Sequence, residues 1–355
     1  MTRWEAFTLL CDHLSAGLHG GTPSAVPDGM SWELLVEAAS NHHVTPALAC
    51  YSAPASAYPP DVSDYLDAVL TLNGQRNERI LATLARAASA LNAIDVEPVL
   101  LKGAAHVVGA SYPSTAFRVL GDLDVLIPDD RANDAAQCLQ RIGFVPGGPP
   151  LPANHHHLPM LCDPETEAGV ELHTGVVQRR SEAVIPVPWF VEQARAVAFR
   201  GARVRLPDAA RSVAHLVVHD QLDHEGYKRT RIDLRQLLDL AIIRAKHDSD
   251  IDWAALDRRF GDAGAGHMLA TYLHFAEALL GQPAPWLRHA PHANAVARLR
   301  RAIEPRTGAW TRVTQVPLEY LAARRRDPLG LLNLLRPRTW RKGIRRLSEA
   351  RAPRW

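Results

Sequence analysis

The sequence predicts an α/β (α+β) fold, a small mixed sheet flanked by an N-terminal helical region and a C-terminal helical domain. Three observations carry this prediction. Short apolar runs of strand length, bounded by Gly and Pro, cluster between residues 95 and 206. Apolar residues recur at helical spacing on both sides of that cluster. With 355 residues and 47% apolar content, the chain can bury the core such a sheet needs. The expected segments are a helical region at 1–92, a mixed core at 93–206, a helical domain at 207–323 and a basic amphipathic tail at 324–355.

In the first segment Trp4, Phe7, Leu10 and Leu14 make one helical face, and Trp32, Leu35, Val36 and Ala39 make another. The loop Gly20-Gly-Thr-Pro-Ser24 separates them, and residues 64–92 read as one or two long helices. Strands are expected at 99–101, 119–127, 144–146, 158–162, 170–176 and 197–206, with a helix over 131–142 after Pro128. Beyond Pro207 the pattern is helical, at 208–222, 231–247, 252–262, 265–280 and 291–303, with Asp208 as an N-cap.

Bulk properties narrow the class. A net charge of +2 argues against a chain that coats nucleic acid. Cys11, Cys50, Cys138 and Cys162 are far apart, with no Cys-x-x-Cys, so neither a zinc ribbon nor a disulfide framework is expected. No signal-peptide pattern and no run of about 18 apolar residues is present, so a cytoplasmic protein without a membrane span is expected.

The chemistry concentrates in two stretches. The second, Arg118-Val-Leu-Gly-Asp-Leu-Asp-Val-Leu-Ile127, sets Asp122 and Asp124 two residues apart in an apolar run. On a strand such residues share a face, with Cα atoms roughly 6.5 Å apart. Two neighbouring acids repel unless a cation neutralises them, and a divalent metal of the kind used in phosphoryl or nucleotidyl transfer would do so. Acids at a strand end that simply face water are the alternative. The first stretch, Val99-Leu-Leu-Lys-Gly-Ala104, is a strand feeding a turn and a helix. There the free amides around Gly103 and the charge of Lys102 can meet an anion, although a solvated turn lysine reads the same way. Arg118 is a second cation, able to hold a phosphate or to offset the acids.

Downstream, Leu158-Pro-Met-Leu-Cys162 and Val170-Glu-Leu-His-Thr174 flank the turn-rich spacer 163–169, a hairpin signal. Glu171 and His173 share one face of the second strand, which lets Glu171 join Asp122 and Asp124 as a ligand or a base. In the run His155-His-His157 only His155 and His157 can share a strand face, and without a cysteine or a spaced second pair zinc is not expected. His215 and His219 have the spacing of a helical metal pair, but Leu216 stands where a zinc protease needs Glu. With Asp220, Asp223 and His224 they line an acceptor cleft or are ordinary helical side chains.

Together Leu-Lys-Gly103, Tyr112-Pro113, Arg118, Gly-Asp-Leu-Asp124, Arg141-Ile-Gly-Phe144, the histidine run and Val-Glu-Leu-His173 resemble the uncharacterised nucleotidyltransferase family of the DNA polymerase β-like superfamily. The resemblance covers most of residues 30–245, including Trp32–Ala39, His42–Pro46, His215–His219 and Arg231–Asp239. It departs from the wider superfamily in having Lys-Gly where Gly-Ser is usual. It implies a polymerase-β-like sheet and a nucleotidyltransferase of EC 2.7.7 type. Asp122, Asp124 and Glu171 would be catalytic and would bind Mg²⁺ or Mn²⁺. Lys102, Gly103, Arg118 and His173 would hold the NTP, the acceptor being a small molecule or peptide rather than RNA. The alternatives are a toxin-like or regulatory transferase acting on protein or RNA, a catalytically silent nucleotide-binding protein, and a metal phosphoesterase. In the tail, arginines from Arg324 to Arg354 interleave with Leu331, Leu332, Leu334 and Leu335. Packing of those leucines on the protein itself is expected, with membrane, nucleic acid or an acidic partner as alternatives.

Overall fold

A computed structural model describes residues 2–24, 26, 31–51, 58–147, 151, 155–284 and 288–304. The 324–355 tail lies outside the described residues.

Four helices come first: α1 (Arg3–His19), α2 (Trp32–Asn41), α3 (Thr45–Tyr51) and α4 (Pro60–Asn92). Thr2 and Glu5 close a reciprocal capping box on α1, satisfying two amides that a helix start leaves open. Helix α4 is a single 33-residue rod, beginning at Pro60, where a missing N–H costs nothing. Its buried stripe of Leu66, Val69, Ile80, Leu84, Ala88 and Leu91 faces the core.

The core segment then alternates: β1 (Val99–Leu100), α5 (Lys102–Val108), β2 (Leu123–Leu126), α6 (Ala132–Arg141), β3 (Val145–Pro146), β4 (Leu161–Cys162), β5 (Gly169–His173), α7 (Val187–Glu192), β6 (Arg195–Phe199) and β7 (Ala202–Leu206). The strands form one sheet in the order β3-β4-β5-β2-β1-β7-β6. Strand β2 is central, parallel to β5 and antiparallel to β1, and β1 is parallel to β7. The expected hairpin is present, with Leu161 opposite Val170 and Cys162 opposite Gly169.

Two strand expectations are corrected. Residues 119–122 are not strand, because the chain reaches β2 through a loop held by side chains from α4, described below. Residues 197–206 are not one strand but the β6–β7 hairpin. Arg200 (φ 47°) and Gly201 (φ 86°) both take left-handed backbone, which reverses the chain in two residues.

The last described segment comprises α8 (Ala209–Val217), a π-helical turn (Val218–Asp223), α9 (Gly226–Arg229), α10 (Leu234–His247), α11 (Trp253–Asp262), α12 (Gly266–Leu280) and α13 (Ala295–Ile303). Asp208 caps α8 as expected, accepting from the Arg211 amide. The outer segments also pack on each other: α1 lies against α10, α12 and α13. His19 Nε2 is 3.0 Å from the Leu280 carbonyl oxygen, and Trp4 N donates to Glu304 at 3.1 Å. Residues 1–304 therefore cohere as one unit. Among the described residues no helix is long and apolar enough to cross a membrane.

Candidate active site

The parallel pairing of β2 with β5 builds the centre of the site. Asp124 is in register with Glu171, and Leu126 with His173. Directly paired residues on parallel strands share a face about 4.8 Å apart, and residues two apart share it too. Asp124, Glu171 and His173 therefore converge on one face, while Leu123, Val125, Val170 and Leu172 fill the core on the other. Nε2 of His173 lies 2.9 Å from Oδ1 of Asp124 and 3.6 Å from Oε2 of Glu171. His157, joined to His173 by an isolated antiparallel bridge, puts its Nε2 3.6 Å from the same Glu171 oxygen.

Lys102 arrives from the end of β1. Its φ of 47° is a left-handed conformation that a side chain disfavours, and it turns the chain sharply into α5. The turn is anchored on the acid strand itself, since the Leu101 amide donates to the Asp124 carbonyl at 3.0 Å. From there Lys102 Nζ reaches Asp124 Oδ1 at 2.6 Å. Asp122 stands in the loop just ahead of β2, exposed to solvent.

The charges divide unequally. Burial opposes ionisation of Asp124, but Lys102 and His173 outweigh it and hold the carboxyl well below the usual range. Burial likewise opposes the charge on His173, and its hydrogen bonds to Asp124 and Glu171 raise its pKa all the same. Glu171 is lowered, its partner His173 overcoming the cost of burial. Asp122 is pushed upward, chiefly by the charge of Asp124. The cations at hand serve Asp124 first and leave Asp122 repelled.

Arg118 is paired away from the acids. Its Nε donates to both Asp239 oxygens at 3.1 and 2.9 Å, Nη2 lies 2.9 Å from Asp239, and Nη1 donates to the Val119 carbonyl. The guanidinium is 6% exposed and Asp239 2%. Each of its three nitrogens is thus paired with Asp239 or with backbone rather than with the acids on β2 and β5. Arg118 ties the loop before β2 to α10, and Tyr112 adds a 2.6 Å hydrogen bond to the same Asp239. Gly103 is likewise explained by packing, because a Cβ there would collide with Arg118 Nη1 and Leu120. The close approach that requires glycine is that of Arg118.

The model of a family described as uncharacterised nucleotidyltransferase matches residues 28–281. The chain belongs to this family. No curated protein matches it. Among solved structures, an antigenic nucleotidyltransferase-like protein from Paracoccidioides brasiliensis is 13% identical; the alignment covers 52% of this chain and 93% of that one, with a TM-score of 0.31.

Residues beyond the expected set shape the site in this nucleotidyltransferase family member. On α4, Asn73 and Asn77 donate to the Ala116, Thr115 and Arg118 carbonyls, and Arg76 donates to the Leu120 carbonyl. These side chains hold the loop that delivers Asp122. Their signal in the sequence is the polar run Asn73-Gly-Gln-Arg-Asn-Glu-Arg79, which interrupts a helix otherwise rich in Ala and Leu. Beside Lys102, a small cavity is lined by His106, Ser212, His215, His219 and Gln236. His219 Nδ1 is 3.1 Å from Gln236 Oε1. His215, pushed down to about 3 chiefly by burial, has a buried Nε2 with no hydrogen-bond partner among the described residues. Asp223 is taken by Ser181 Oγ and the Gln178 amide, and Asp220 by Gln221 and the Asp233 amide. Of the group considered for an acceptor cleft, His215 and His219 line the cavity beside Lys102, Asp223 is committed elsewhere, and Asp220 uses only Oδ2, its buried Oδ1 having no hydrogen-bond partner among the described residues.

Proposed function

We propose that the protein transfers a nucleoside monophosphate from an NTP to a hydroxyl of a small molecule or peptide. The observation that carries this reading is the register that sets Glu171 beside Asp124, with Asp122 on the adjoining loop and Lys102 at the edge of the same face. The donor set fits a divalent cation, Mg²⁺ or Mn²⁺: Asp124, Glu171 and His173 offer ligand atoms within 4.8 Å of one another, and Asp122 would join them from the adjoining loop. Asp122, Asp124 and Glu171 gather negative charge that Lys102 and His173 do not fully offset, and the upward push on Asp122 is the sign of the deficit. Bound there, the cation would neutralise charge developing on the phosphates.

The protein's own groups do the rest. Lys102, released from Asp124, is a point charge for the phosphates, and His173 steadies the carboxylates. Glu171 takes the proton of the acceptor hydroxyl as its oxygen bonds to the α-phosphorus and the bond to pyrophosphate breaks. The cytoplasm supplies the NTP and suits the four free cysteines.

One observation favours a second reading. Lys102 already sits on Asp124 at 2.6 Å, an internally neutralised arrangement that a catalytically silent nucleotide-binding protein would also show. Mass spectrometry of a cell extract incubated with the protein, divalent metal and heavy-isotope NTP separates the two. An adduct one labelled nucleoside monophosphate heavier than its acceptor is expected. Saturable NTP binding with no adduct and no consumption of NTP supports the silent reading instead.

A further inference from the structure

We infer that His155, His156 and His157 form a binding site for a first-row transition-metal dication, Zn²⁺ foremost, separate from the carboxylates on β2 and β5. The inference stands apart from the transferase reading, which uses the acids and not this run.

Chain geometry makes the cluster possible. On an extended strand three consecutive side chains point to alternate faces, so in sequence the run does not read as a three-ligand site. In the structure it is not a strand, because the chain bends at His156. One ligand atom from each ring lies within 4.8 Å of the other two, and all three residues are half-buried. Nitrogens bound to one Zn²⁺ at about 2.0–2.1 Å stand roughly 3.4 Å apart in a tetrahedral shell. Rotation about the side-chain bonds covers the difference.

The backbone beneath the rings is held, which separates this run from three histidines on a loose end. The His156 carbonyl accepts from the amides of Thr174 and Gly175, both at 3.0 Å, and the Leu158 amide donates to the Leu172 carbonyl at 2.8 Å. His157 itself bridges His173 at the end of β5. With the chain already fixed there, seating a metal costs little further ordering.

The ring nitrogens are available. Nδ1 of His155 is buried with no hydrogen-bond partner among the described residues. Nδ1 of His157 lies 2.9 Å from the Leu158 carbonyl oxygen, which keeps the proton on that nitrogen and leaves the Nε2 lone pair to ligate. That Nε2 is 3.6 Å from Glu171, beyond hydrogen-bond length, and can turn to an ion. The three rings stand with centroids 4.2, 4.5 and 4.9 Å apart, crowded without a hydrogen bond from one to another.

The class of metal follows from the donors. Mg²⁺ and Ca²⁺ take oxygen ligands, and this group supplies none. Imidazole nitrogen suits zinc, copper, iron and nickel. Three histidines with a fourth position open to water are a zinc arrangement.

Zn²⁺ is the probe, added to tag-free, full-length protein in millimolar Mg²⁺. In wild type, histidine-selective ¹⁵N magnetic resonance should show three imidazoles responding together to the first equivalent, and calorimetry should give a submicromolar Kd. His155→Gln and His156→Gln, each checked for an unchanged fold by circular dichroism, should weaken Zn²⁺ by about tenfold or more, the scale on which even outer-shell changes act. Glu171→Gln should leave the affinity unchanged. Fewer than three responding imidazoles, affinity that follows Glu171 while sparing His155 and His156, or a Kd no tighter than micromolar overturns the inference. The wild-type spectrum decides even where a variant fails to fold. Zn²⁺ seated on three imidazoles in a protein that forms no nucleotide adduct upholds the inference and removes the transferase reading alone.

Discussion

Lys102 and Arg118 read alike in the sequence, as two cations flanking a pair of acids, yet they occupy opposite kinds of environment. Arg118 is sealed between the loop before β2 and α10, its guanidinium shared between Asp239 and a backbone carbonyl. Lys102 meets Asp124 through one nitrogen, and its side chain remains 22% exposed at a left-handed turn. The planar fork of arginine suits a closed, many-bonded contact, whereas the single ammonium of lysine can leave its partner when another anion arrives. One pair organises the fold around the site and the other is available to the site's chemistry.

Breaking the buried pair should therefore have the largest effect on stability. Arg118→Met strands Asp239 in the core, and urea unfolding should show a loss of about 3–5 kcal/mol. Replacing both partners, Arg118→Met with Asp239→Leu, should recover much of it, since no unpaired charge remains. A double variant as unstable as the single one would mean that the loop needs the guanidinium's hydrogen bonds to the backbone rather than the ion pair. Gly103→Ala should act through the same contact by pushing Arg118 aside, at a cost of about 1–3 kcal/mol, the range for overpacking a core.

Lys102→Met inverts the pattern. It removes one charge-assisted hydrogen bond and should cost only about 1.5–3 kcal/mol. NTP turnover should fall by about a hundredfold or more, the scale for losing a group aimed at developing charge. A variant that keeps its turnover would put Lys102 on the structural side of the comparison.

The smallest effect is expected at Asp122, and its sign depends on pH. A carboxyl whose folded pKa is raised favours the folded state fully below its unfolded value near 4, and that contribution is lost as pH rises through the folded value. In chelator, Asp122→Asn should match wild type below about pH 4 and become the more stable protein toward neutrality. Metal with NTP should raise the melting temperature of wild type and raise that of the variant far less. A variant less stable than wild type at neutral pH would show that Asp122 makes a stabilising contact instead of suffering repulsion.

Local pattern made much of this site legible. Alternation in Val170–Thr174 and in Leu123–Leu126 sets Glu171 and Asp124 on strand faces, although Asp122 falls in the loop ahead of β2, and the spacer at 163–169 announces the hairpin that brings β5 in. Partners distant in the chain were not legible. Arg118 and Asp239 are 121 positions apart, and Asp239 reads in sequence as an ordinary polar residue on a helix. The loop at 119–122 reads as strand because Val119 and Leu120 run into the apolar β2, and only Arg76 on the Leu120 carbonyl and Arg118 and Arg235 on that of Val119 reveal that its backbone is held elsewhere. The turn at Arg200-Gly201 carried a single glycine as its signal, too little to split a run that otherwise alternates.

If the acids of β2, β5 and the loop ahead of β2 drive transfer at the α-phosphorus, the fate of the terminal phosphate reveals it. NTP labelled at the γ-position is incubated with the protein, divalent metal and cell extract, alongside the Asp122→Ala, Asp124→Ala double variant. The label should leave as pyrophosphate with wild type and stay in NTP with the variant. Label released as orthophosphate alone, or pyrophosphate released equally by the variant, would contradict it.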